Sequence, residues 1–152
     1  MLKGSIVVVT GGTSGIGRAC AEAMLDAGAT GVLINGRNPE RAAAAQAEMQ
    51  LRFPAARVIL AVGDVSIADA AQNVMAHAMQ EFGRIDVLVN STGGNDLPQL
   101  LHRTPVSDIP SILQRCLFAQ ILCCAAALPA MRDAGRGTII NIASDAAKIP
   151  TL

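Results

Sequence analysis

The sequence predicts an α/β fold with a doubly wound parallel sheet, and three features of the chain predict it. Short apolar, β-branched runs alternate with helical patterns, and the connections between them are short. A glycine-rich turn follows the first run. Such runs are typical of strands buried on both faces, and their alternation with helices gives right-handed crossovers between parallel strands. In these sheets ligands bind at the carboxyl ends of the strands.

Five apolar runs are the predicted strands. They are Ser5–Thr10, Gly31–Asn35, Arg57–Val62, Ile85–Asn90 and Thr138–Ser144. Helical patterns lie between them, over Ile16–Ala27, from Pro39 to about Arg52, from Ser66 to Phe82, and from about Ile109 to Arg132. Asn38 is predicted to cap the second helix, with Pro39 at its first position, and Ser66 to cap the third. A polar, proline-containing loop precedes the long fourth helix.

Composition places the chain among globular proteins. Its 152 residues are enough for one domain with a hydrophobic core; 51% are hydrophobic, 16% are charged, and the formal net charge is zero. This balance excludes a disordered chain and argues against binding nucleic acid, which needs a basic excess. We therefore expect residues 1–152 to form a single domain that binds no nucleic acid.

Three absences in the sequence bear on location and on metals. No apolar run reaches the roughly 18 residues that span a bilayer. The longest run, Leu117–Leu128, is interrupted by Gln120, and the first strand begins too early to leave room for a signal peptide. The four cysteines lack the paired spacing of a zinc site, and His77 and His102 lie far apart. We expect reduced thiols in a cytoplasmic protein, with no membrane span and no metal site.

The glycine-rich turn, TGGTSGIG over residues 10–17, carries the strongest functional signal. Gly11 permits a sharp exit from the strand, Gly15 lets the backbone approach a pyrophosphate, and Gly17 lets the helix pack close to the sheet. The helix N-terminus offers free N–H groups and a positive dipole end, and Thr13 and Ser14 add hydroxyl donors. A glycine-rich turn can also be a plain loop. Its place between a strand and a helix favours a dinucleotide phosphate site.

The spacing of these glycines resembles that of the short-chain dehydrogenase/reductase family. Asp64-Val65 resembles the family's adenine-contacting pair, and Asn90-Ser91-Thr92-Gly93 resembles its Asn-Asn-Ala-Gly motif with two changes. Leu128-Pro129-Ala130-Met131 and Gly137–Ser144 follow the family's pattern into the strand that ends at the catalytic serine. The resemblance covers the whole chain and implies a Rossmann-type sheet of strand order 3-2-1-4-5. It also implies a domain that continues beyond Leu152 for on the order of a hundred residues.

The end of the second strand bears on the choice of cofactor. NAD enzymes of this kind place an acid there to bind both ribose hydroxyls, whereas a 2′-phosphate requires a cation instead. Gly36 stands where the acid would be, and Arg37 can offer a bidentate fork to the phosphate. Ser14 stands where the family often carries a second basic residue, and Arg37 could also be a solvated surface charge. NADP is the predicted cofactor, with NAD as the less favoured choice.

The resemblance also implies which residues hold the cofactor and which act on the substrate. The implied cofactor-binding residues are Gly11, Thr13, Ser14, Gly15, Ile16, Gly17, Arg37, Asn38, Asp64, Val65, Asn90 and Gly93. Ser144 matches the serine of the family's Asn–Ser–Tyr–Lys set, which hydrogen-bonds the substrate oxygen while the tyrosine moves a proton. The implied reaction is hydride transfer between NADP and a small-molecule carbonyl or alcohol substrate.

Two departures from this set leave an alternative open. The Tyr and Lys would fall beyond Leu152, and the sequence contains no tyrosine. Cys116 occupies the position of the Asn, and its thiol is a weak hydrogen-bonding group. Gln120, one turn further along, is a hypothetical replacement. The alternative is a non-catalytic NADP-binding protein, or a fragment that lacks the Tyr–Lys pair. A methyltransferase is disfavoured because Arg37 stands near where an acid would normally bind that cofactor's ribose.

The long fourth helix predicts self-association. In the family this helix normally pairs with the following helix and with a neighbouring subunit. Without those neighbours its apolar face would be partly open, at Ile112, Leu113, Cys116, Phe118, Ile121 and Leu122. An exposed face of this kind favours association, so we expect a homodimer or a homotetramer.

Overall fold

A five-stranded parallel sheet forms the centre of the chain. The structure is a computed structural model, and it describes residues 2–93 and 101–144. The strands are β1 Ile6–Thr10, β2 Gly31–Gly36, β3 Arg57–Val62, β4 Val87–Asn90 and β5 Thr138–Asn141. They lie in the order β3-β2-β1-β4-β5. The predicted fold class and strand order are thereby confirmed.

Helices cover both faces of the sheet because successive side chains along a buried strand point to opposite faces. The helices are α1 Gly15–Asp26, α2 Pro39–Arg52, α3 Ala68–Phe82, α4 Ile109–Leu113 and α5 Ala119–Asp133. Two 3-10 turns, Leu101–Arg103 and Val106–Asp108, precede α4. Val7 and Val9 of β1 belong to the core under α1 and α2, whereas Val8 belongs to the core under α3 and α5. Strands β1, β2 and β4 are buried throughout.

Strand β5 is shorter than the sequence predicts. The prediction extends it to Ser144, but it ends at Asn141, which pairs with Asn90. Since β4 itself ends at Asn90, the following residues have little to pair with on that side, apart from a bond from the Ile142 N–H to the Asn90 carbonyl (2.9 Å). Ser144 therefore lies beyond the regular strand, at the carboxyl edge of the sheet.

The start of α3 also differs from the prediction. Ser66 does not cap this helix, which begins at Ala68 after Ile67. The Ser66 backbone N–H instead donates to Asp64 Oδ1 (3.0 Å). Aspartate side chains commonly accept such a bond from two residues on, and the resulting local turn competes with helix formation. The chain therefore turns at the end of β3 before α3 begins, and this turn fixes the Asp64 carboxylate.

The long fourth helix is not uniform. Between α4 and α5, Gln114–Phe118 form a π-helical turn, in which the Ala119 N–H donates to the Gln114 carbonyl five residues earlier. The sequence predicted an uninterrupted α-helix because a single π turn changes the apolar periodicity very little. Such turns occur mostly as insertions within α-helices, frequently at functional sites.

The same helical stretch corrects the expectation about membrane spans. Within the described residues, Val106–Asp133 is 28 residues long and, by length and composition alone, apolar enough to cross a bilayer. A search for unbroken apolar runs misses it because scattered polar residues such as Gln120 interrupt a run without making the helix polar on average. However, α5 packs onto the sheet through Ala119, Cys123, Ala127 and Met131. Mostly buried core helices can be equally long and apolar, whereas 17% of the apolar window in Val106–Asp133 is buried. Length and composition alone do not identify this stretch as a span.

Candidate functional site

An open cleft of about 1360 Å³ lies along the carboxyl edge of the sheet. The ends of all the parallel strands meet at this edge, as expected for a ligand site in a doubly wound fold. Eleven of the predicted site residues line the cleft: Gly11, Thr13, Ser14, Ile16, Gly17, Arg37, Asn38, Asp64, Val65, Gly93 and Ser144. Gly15 and Asn90 are not part of this lining. The structure thus brings most of these residues together, while the binding role of each stays a prediction.

The turn after β1 is packed so closely that it excludes side chains at three positions, Gly11, Gly12 and Gly17. Gly11 has a φ of 63°, and a Cβ there would lie 2.8 Å from the Ser91 carbonyl oxygen. A Cβ on Gly17 would lie 2.3 Å from the Gly11 carbonyl oxygen. This packing holds the start of α1 against the ends of β1 and β4. Ser14 and Ile16 at that helix start line the cleft, where free N–H groups can bind an anion.

The end of β2 has no room for a side chain at position 36. A Cβ on Gly36 would lie 2.6 Å from Thr13 Cγ2 and 2.7 Å from Thr13 Oγ1. An acidic residue therefore does not fit at position 36 unless Thr13 moves. The next side chain, Arg37, is 62% exposed, and its Nη1 lies 3.9 Å from Asp64 Oδ2. This long contact leaves most of the guanidinium donors open to the cleft.

Two further residues at this end were missed by sequence reasoning. Arg41 lies in the first turn of α2 and lines the cleft, four residues after Arg37. That spacing, combined with the predicted cap, could have found it. The Arg41 N–H donates to Asn38 Oδ1 (2.8 Å), so the cap is formed as predicted. The buried Asn35 donates from its amide to two carbonyls at the end of β3 (3.0 and 3.1 Å), which ties β2 to β3.

The Asp64 carboxylate remains ionised although it is partly buried. Burial alone raises the pKa of this carboxyl, but hydrogen bonds from Ser66 and the positive charges of Arg37 and Arg115 outweigh that effect, so the pKa is lowered from its ordinary value. Arg115 belongs to the π-helical turn, and its neighbour Gln114 donates to the Ser66 carbonyl. The π turn is therefore attached to the loop that carries Asp64.

The opposite end of the cleft is formed by the segments after β4 and β5, the π turn and the start of α5. A Cβ on Gly93 would lie 3.9 Å from Cys116 Sγ, so the π turn lies against the chain that leaves β4. Gln120 of α5 lines this end, together with Ser144 after β5. The predicted catalytic serine, the cysteine and the glutamine thus line the same cleft.

Asn90 occupies a structural position beside the cleft. It is fully buried, and its Nδ2 donates to Asn141 Oδ1 (2.9 Å) and to Cys124 Sγ (3.3 Å). These bonds join β4, β5 and α5. Among the described residues, Asn90 Oδ1 and Thr92 Oγ1 are buried without a hydrogen-bond partner.

The described part of the chain offers no metal centre. Across residues 2–93 and 101–144, no three His, Cys, Asp or Glu side chains are grouped so that they could hold an ion. The four cysteines are free. Burial raises the pKa of Cys123 to about 12, so this thiol stays protonated at neutral pH. It packs as a small apolar side chain against the sheet.

Known proteins share this sequence pattern. The family model described as short chain dehydrogenase matches residues 5–152. The 1,6-dihydroxycyclohexa-2,4-diene-1-carboxylate dehydrogenase of Pseudomonas putida is 32% identical over 146 residues, which cover 96% of this chain and 52% of the relative. The sulfoacetaldehyde reductase of Chromohalobacter salexigens is 36% identical over 145 residues, which cover 95% of this chain and 56% of the relative. The chain thus spans about half the length of the curated relatives it matches.

A solved structure shares the fold. L-sorbose reductase from Gluconobacter frateurii, in complex with NADPH and L-sorbose, matches 99% of this chain and 56% of that chain with a TM-score of 0.90 and 27% identity. The sheet order, the packed glycine turn and the family match all agree. The chain therefore belongs to the short-chain dehydrogenase family, whose members bind a nicotinamide cofactor.

Proposed function

We propose that the complete protein is an NADP-dependent oxidoreductase that transfers hydride between the nicotinamide and a small-molecule carbonyl or alcohol. The observation that carries the choice of NADP is that Thr13 occupies the space into which a side chain at position 36 would extend. Residue 36 is a glycine, so it offers no carboxylate to bind a ribose 2′-hydroxyl or to repel a 2′-phosphate. The residues around this point fit a phosphate.

Two arginines would hold that phosphate. Arg37 is exposed at the end of β2, and Arg41 lines the same wall from the first turn of α2. A guanidinium can donate two parallel N–H bonds to phosphate oxygens, and such charge-assisted bonds are about twice as strong as neutral ones. The start of α1, exposed beside the glycine turn, would take the pyrophosphate.

The reaction needs an oriented substrate as well as a cofactor. When bound, the nicotinamide supplies or accepts the hydride. The Ser144 hydroxyl would hydrogen-bond the substrate oxygen and hold the carbonyl in place. The tight packing of Gly11 and Gly17 would fix the cofactor relative to that serine, since a rigid turn aligns the reacting groups.

The test of NADP use is an Arg37→Gln substitution in the complete protein. We expect the dissociation constant for NADPH to rise about 10- to 100-fold, because a charge-assisted bond is lost, and that for NADH to change less than about twofold. Fluorescence titration of bound nicotinamide measures both. Arg132→Gln is the matched control, since that side chain is 82% exposed at the end of α5 and outside the cleft. An equal loss of NADH and NADPH affinity in Arg37→Gln would contradict the proposal.

A second candidate is a protein that binds NADP without catalysis. It is favoured by the weakly hydrogen-bonding thiol of Cys116 on the cleft wall, at the position of the family's Asn. The intact mass of the purified protein is the first measurement. A mass well above 15.6 kDa would direct the search for a proton donor to the additional residues, whereas a mass of 15.6 kDa favours binding alone. NADPH binding without turnover on a broad carbonyl panel would establish the second candidate.

Assembly and location belong to the same proposal. Leu113, Phe118 and Ile121 are 45%, 46% and 50% exposed on the fourth helical stretch, and covering them would favour a homodimer or a homotetramer. Sedimentation of the complete protein measures the number of subunits.

The proposed location is the cytoplasm, because the free cysteines fit a reducing compartment. We assign Val106–Asp133 to the domain surface rather than to a membrane, because one side of α5 packs on the sheet.

A further inference from the structure

We propose that Gln120 determines substrate specificity, and that the substrate is a neutral hydroxycarbonyl compound with a hydroxyl group next to the reacting carbonyl. The Gln120 side-chain amide would bind that hydroxyl while Ser144 binds the carbonyl oxygen. This inference rests on the proposed oxidoreductase function. It assigns the polar contacts at the end of the cleft formed by the segments after β4 and β5, which we call the substrate end.

The charge of the substrate end points to a neutral ligand. Its described lining residues are Ser91, Thr92, Gly93, Cys116, Gln120, Ile142, Ala143 and Ser144, and all are uncharged. The arginines of the cleft wall, Arg37 and Arg41, belong to the β2 side, and Arg115 is not among the lining residues. A carboxylate or sulfonate at the substrate end would lose much of its hydration without gaining a described cation. A hydroxyl group carries no such penalty.

Gln120 is the strongest hydrogen-bonding group that the helix contributes to this end. Of the described residues in the fourth helical stretch, Cys116 and Gln120 line the cleft, and a thiol bonds only weakly. Gln120 is half-buried, and none of the described residues hydrogen-bonds its side chain. An amide both donates and accepts, which matches a hydroxyl group on both counts. Its bonds are thus available to a ligand in the cleft.

The helix that carries Gln120 is anchored near its start. Gln114, in the π turn before α5, donates to the Ser66 carbonyl. This bond fixes where α5 presents the Gln120 amide along the cleft, so the amide can contact those ligand groups that reach this part of the cleft.

The experiment compares three small probes of similar size: hydroxyacetone, 2-butanone and pyruvate. They present a hydroxyl, a methyl and a carboxylate next to the same carbonyl. The complete protein is assayed with NADPH, and binding of each probe to its NADPH complex is followed by nicotinamide fluorescence. We expect kcat/KM for hydroxyacetone to exceed that for each of the other two by about tenfold or more, because one satisfied polar contact gives that discrimination.

Substitution of Gln120 separates specificity from folding. In Gln120→Leu we expect kcat/KM for hydroxyacetone to fall about tenfold, mostly through KM, while the value for 2-butanone and the affinity for NADPH stay within about twofold. Gln72→Leu is the matched control, an exposed glutamine of α3 outside the cleft. Adding Cys116→Asn to Gln120→Leu should restore part of the preference for hydroxyacetone, since the amide returns one turn earlier on the same wall. A purely structural defect would not be rescued in this way.

The outcomes distinguish this inference from the proposed function. Failure of the wild-type protein to bind NADPH would refute the proposed function itself. With NADPH bound, a higher kcat/KM for pyruvate than for hydroxyacetone would overturn the inference and leave the cofactor assignment intact. Equal kcat/KM values for hydroxyacetone and 2-butanone would do the same. If NADPH binds without turnover, the fluorescence titration compares the binding of the three probes to the NADPH complex. Absence of hydroxyacetone binding then overturns the inference. An equal loss for all three probes in Gln120→Leu would overturn the assignment to Gln120.

Discussion

The two ends of the cleft are built in different ways. At the end formed by β1 and β2, backbone packing determines the shape, because Gly11, Gly17 and Gly36 each exclude a side chain. At the substrate end the features are side chains, chiefly Cys116 and Gln120, presented by a π-helical turn and the helix after it. A site made by backbone requires particular glycines and can be recognised from their spacing. A site made by side chains can change from one family member to the next while the fold is kept.

The largest effect is expected from Gly17→Ala. This substitution tests the end of the cleft formed by β1 and β2, which we call the backbone-built end because Gly11, Gly17 and Gly36 shape it. The new Cβ would lie 2.3 Å from the Gly11 carbonyl oxygen, so the turn and α1 must separate. We expect NADPH affinity to fall on the order of 100-fold, with a lower melting temperature, because overpacking costs about 1 to 3 kcal/mol or more. Titration and thermal denaturation measure the two effects.

The matched control for Gly17→Ala is Gly63→Ala, after β3, which also lines the cleft. A Cβ there would meet only the Ala70 Cβ, at an ordinary 3.6 Å. We expect NADPH affinity and melting temperature close to those of the wild type. Equal effects of the two alanine substitutions would mean that close packing does not distinguish these glycines.

A smaller effect is expected from Asp86→Asn, at the amino edge of the sheet and remote from both ends of the cleft. Burial alone raises the pKa of Asp86, but bonds from Arg84 and the Ile6 N–H and the charge of Arg136 outweigh it, so the pKa is lowered. A lowered pKa means that ionised Asp86 contributes stability above the ordinary aspartate range and loses it as pH falls through the folded-state pKa. We expect Asp86→Asn to lower the free energy of unfolding by about 1 kcal/mol at neutral pH.

The measurement for Asp86→Asn is urea denaturation at neutral and acidic pH. The difference from the wild type should shrink as the pH falls below the ordinary aspartate range, and NADPH affinity should not change. Asp133→Asn, whose side chain is 73% exposed, is the control and should have little effect. A difference that is the same at every pH would refute the role given to the Asp86 charge.

The smallest effect is expected from Cys116→Ala at the substrate end. A thiol is a weak hydrogen-bonding group, so its loss should change kcat/KM and NADPH affinity by less than about twofold. Steady-state kinetics of the complete protein check this. A large loss of kcat/KM would mean that the Cys116 thiol itself contributes to the reaction. Gln120 would then not be the main polar group of the substrate end.

The sequence predicted the backbone-built end more fully than the substrate end. The positions of Gly11 and Gly17 follow from local rules, because tight turns and close helix packing need particular residues at fixed offsets. The role of Ser66 was wrong because the Asp64 side chain takes its N–H and delays the start of α3. The π turn had no sequence signal, since one inserted residue barely alters the apolar pattern. Arg41 was missed, although its spacing from Arg37 and the predicted cap at Asn38 could have indicated it.

The contact between Gly36 and Thr13 has a consequence for how cofactor preference can change among relatives of this protein. An acid at position 36 is the simplest route toward NAD, yet its Cβ would lie within 2.7 Å of the Thr13 hydroxyl. The substitution would therefore be penalised unless the Thr13 side chain moves or residue 13 becomes smaller. A smaller residue 13 would remove the penalty in advance, so Thr13→Gly followed by Gly36→Asp is the easier path. A change of cofactor preference would thus depend on two positions, 13 and 36, that are distant in sequence.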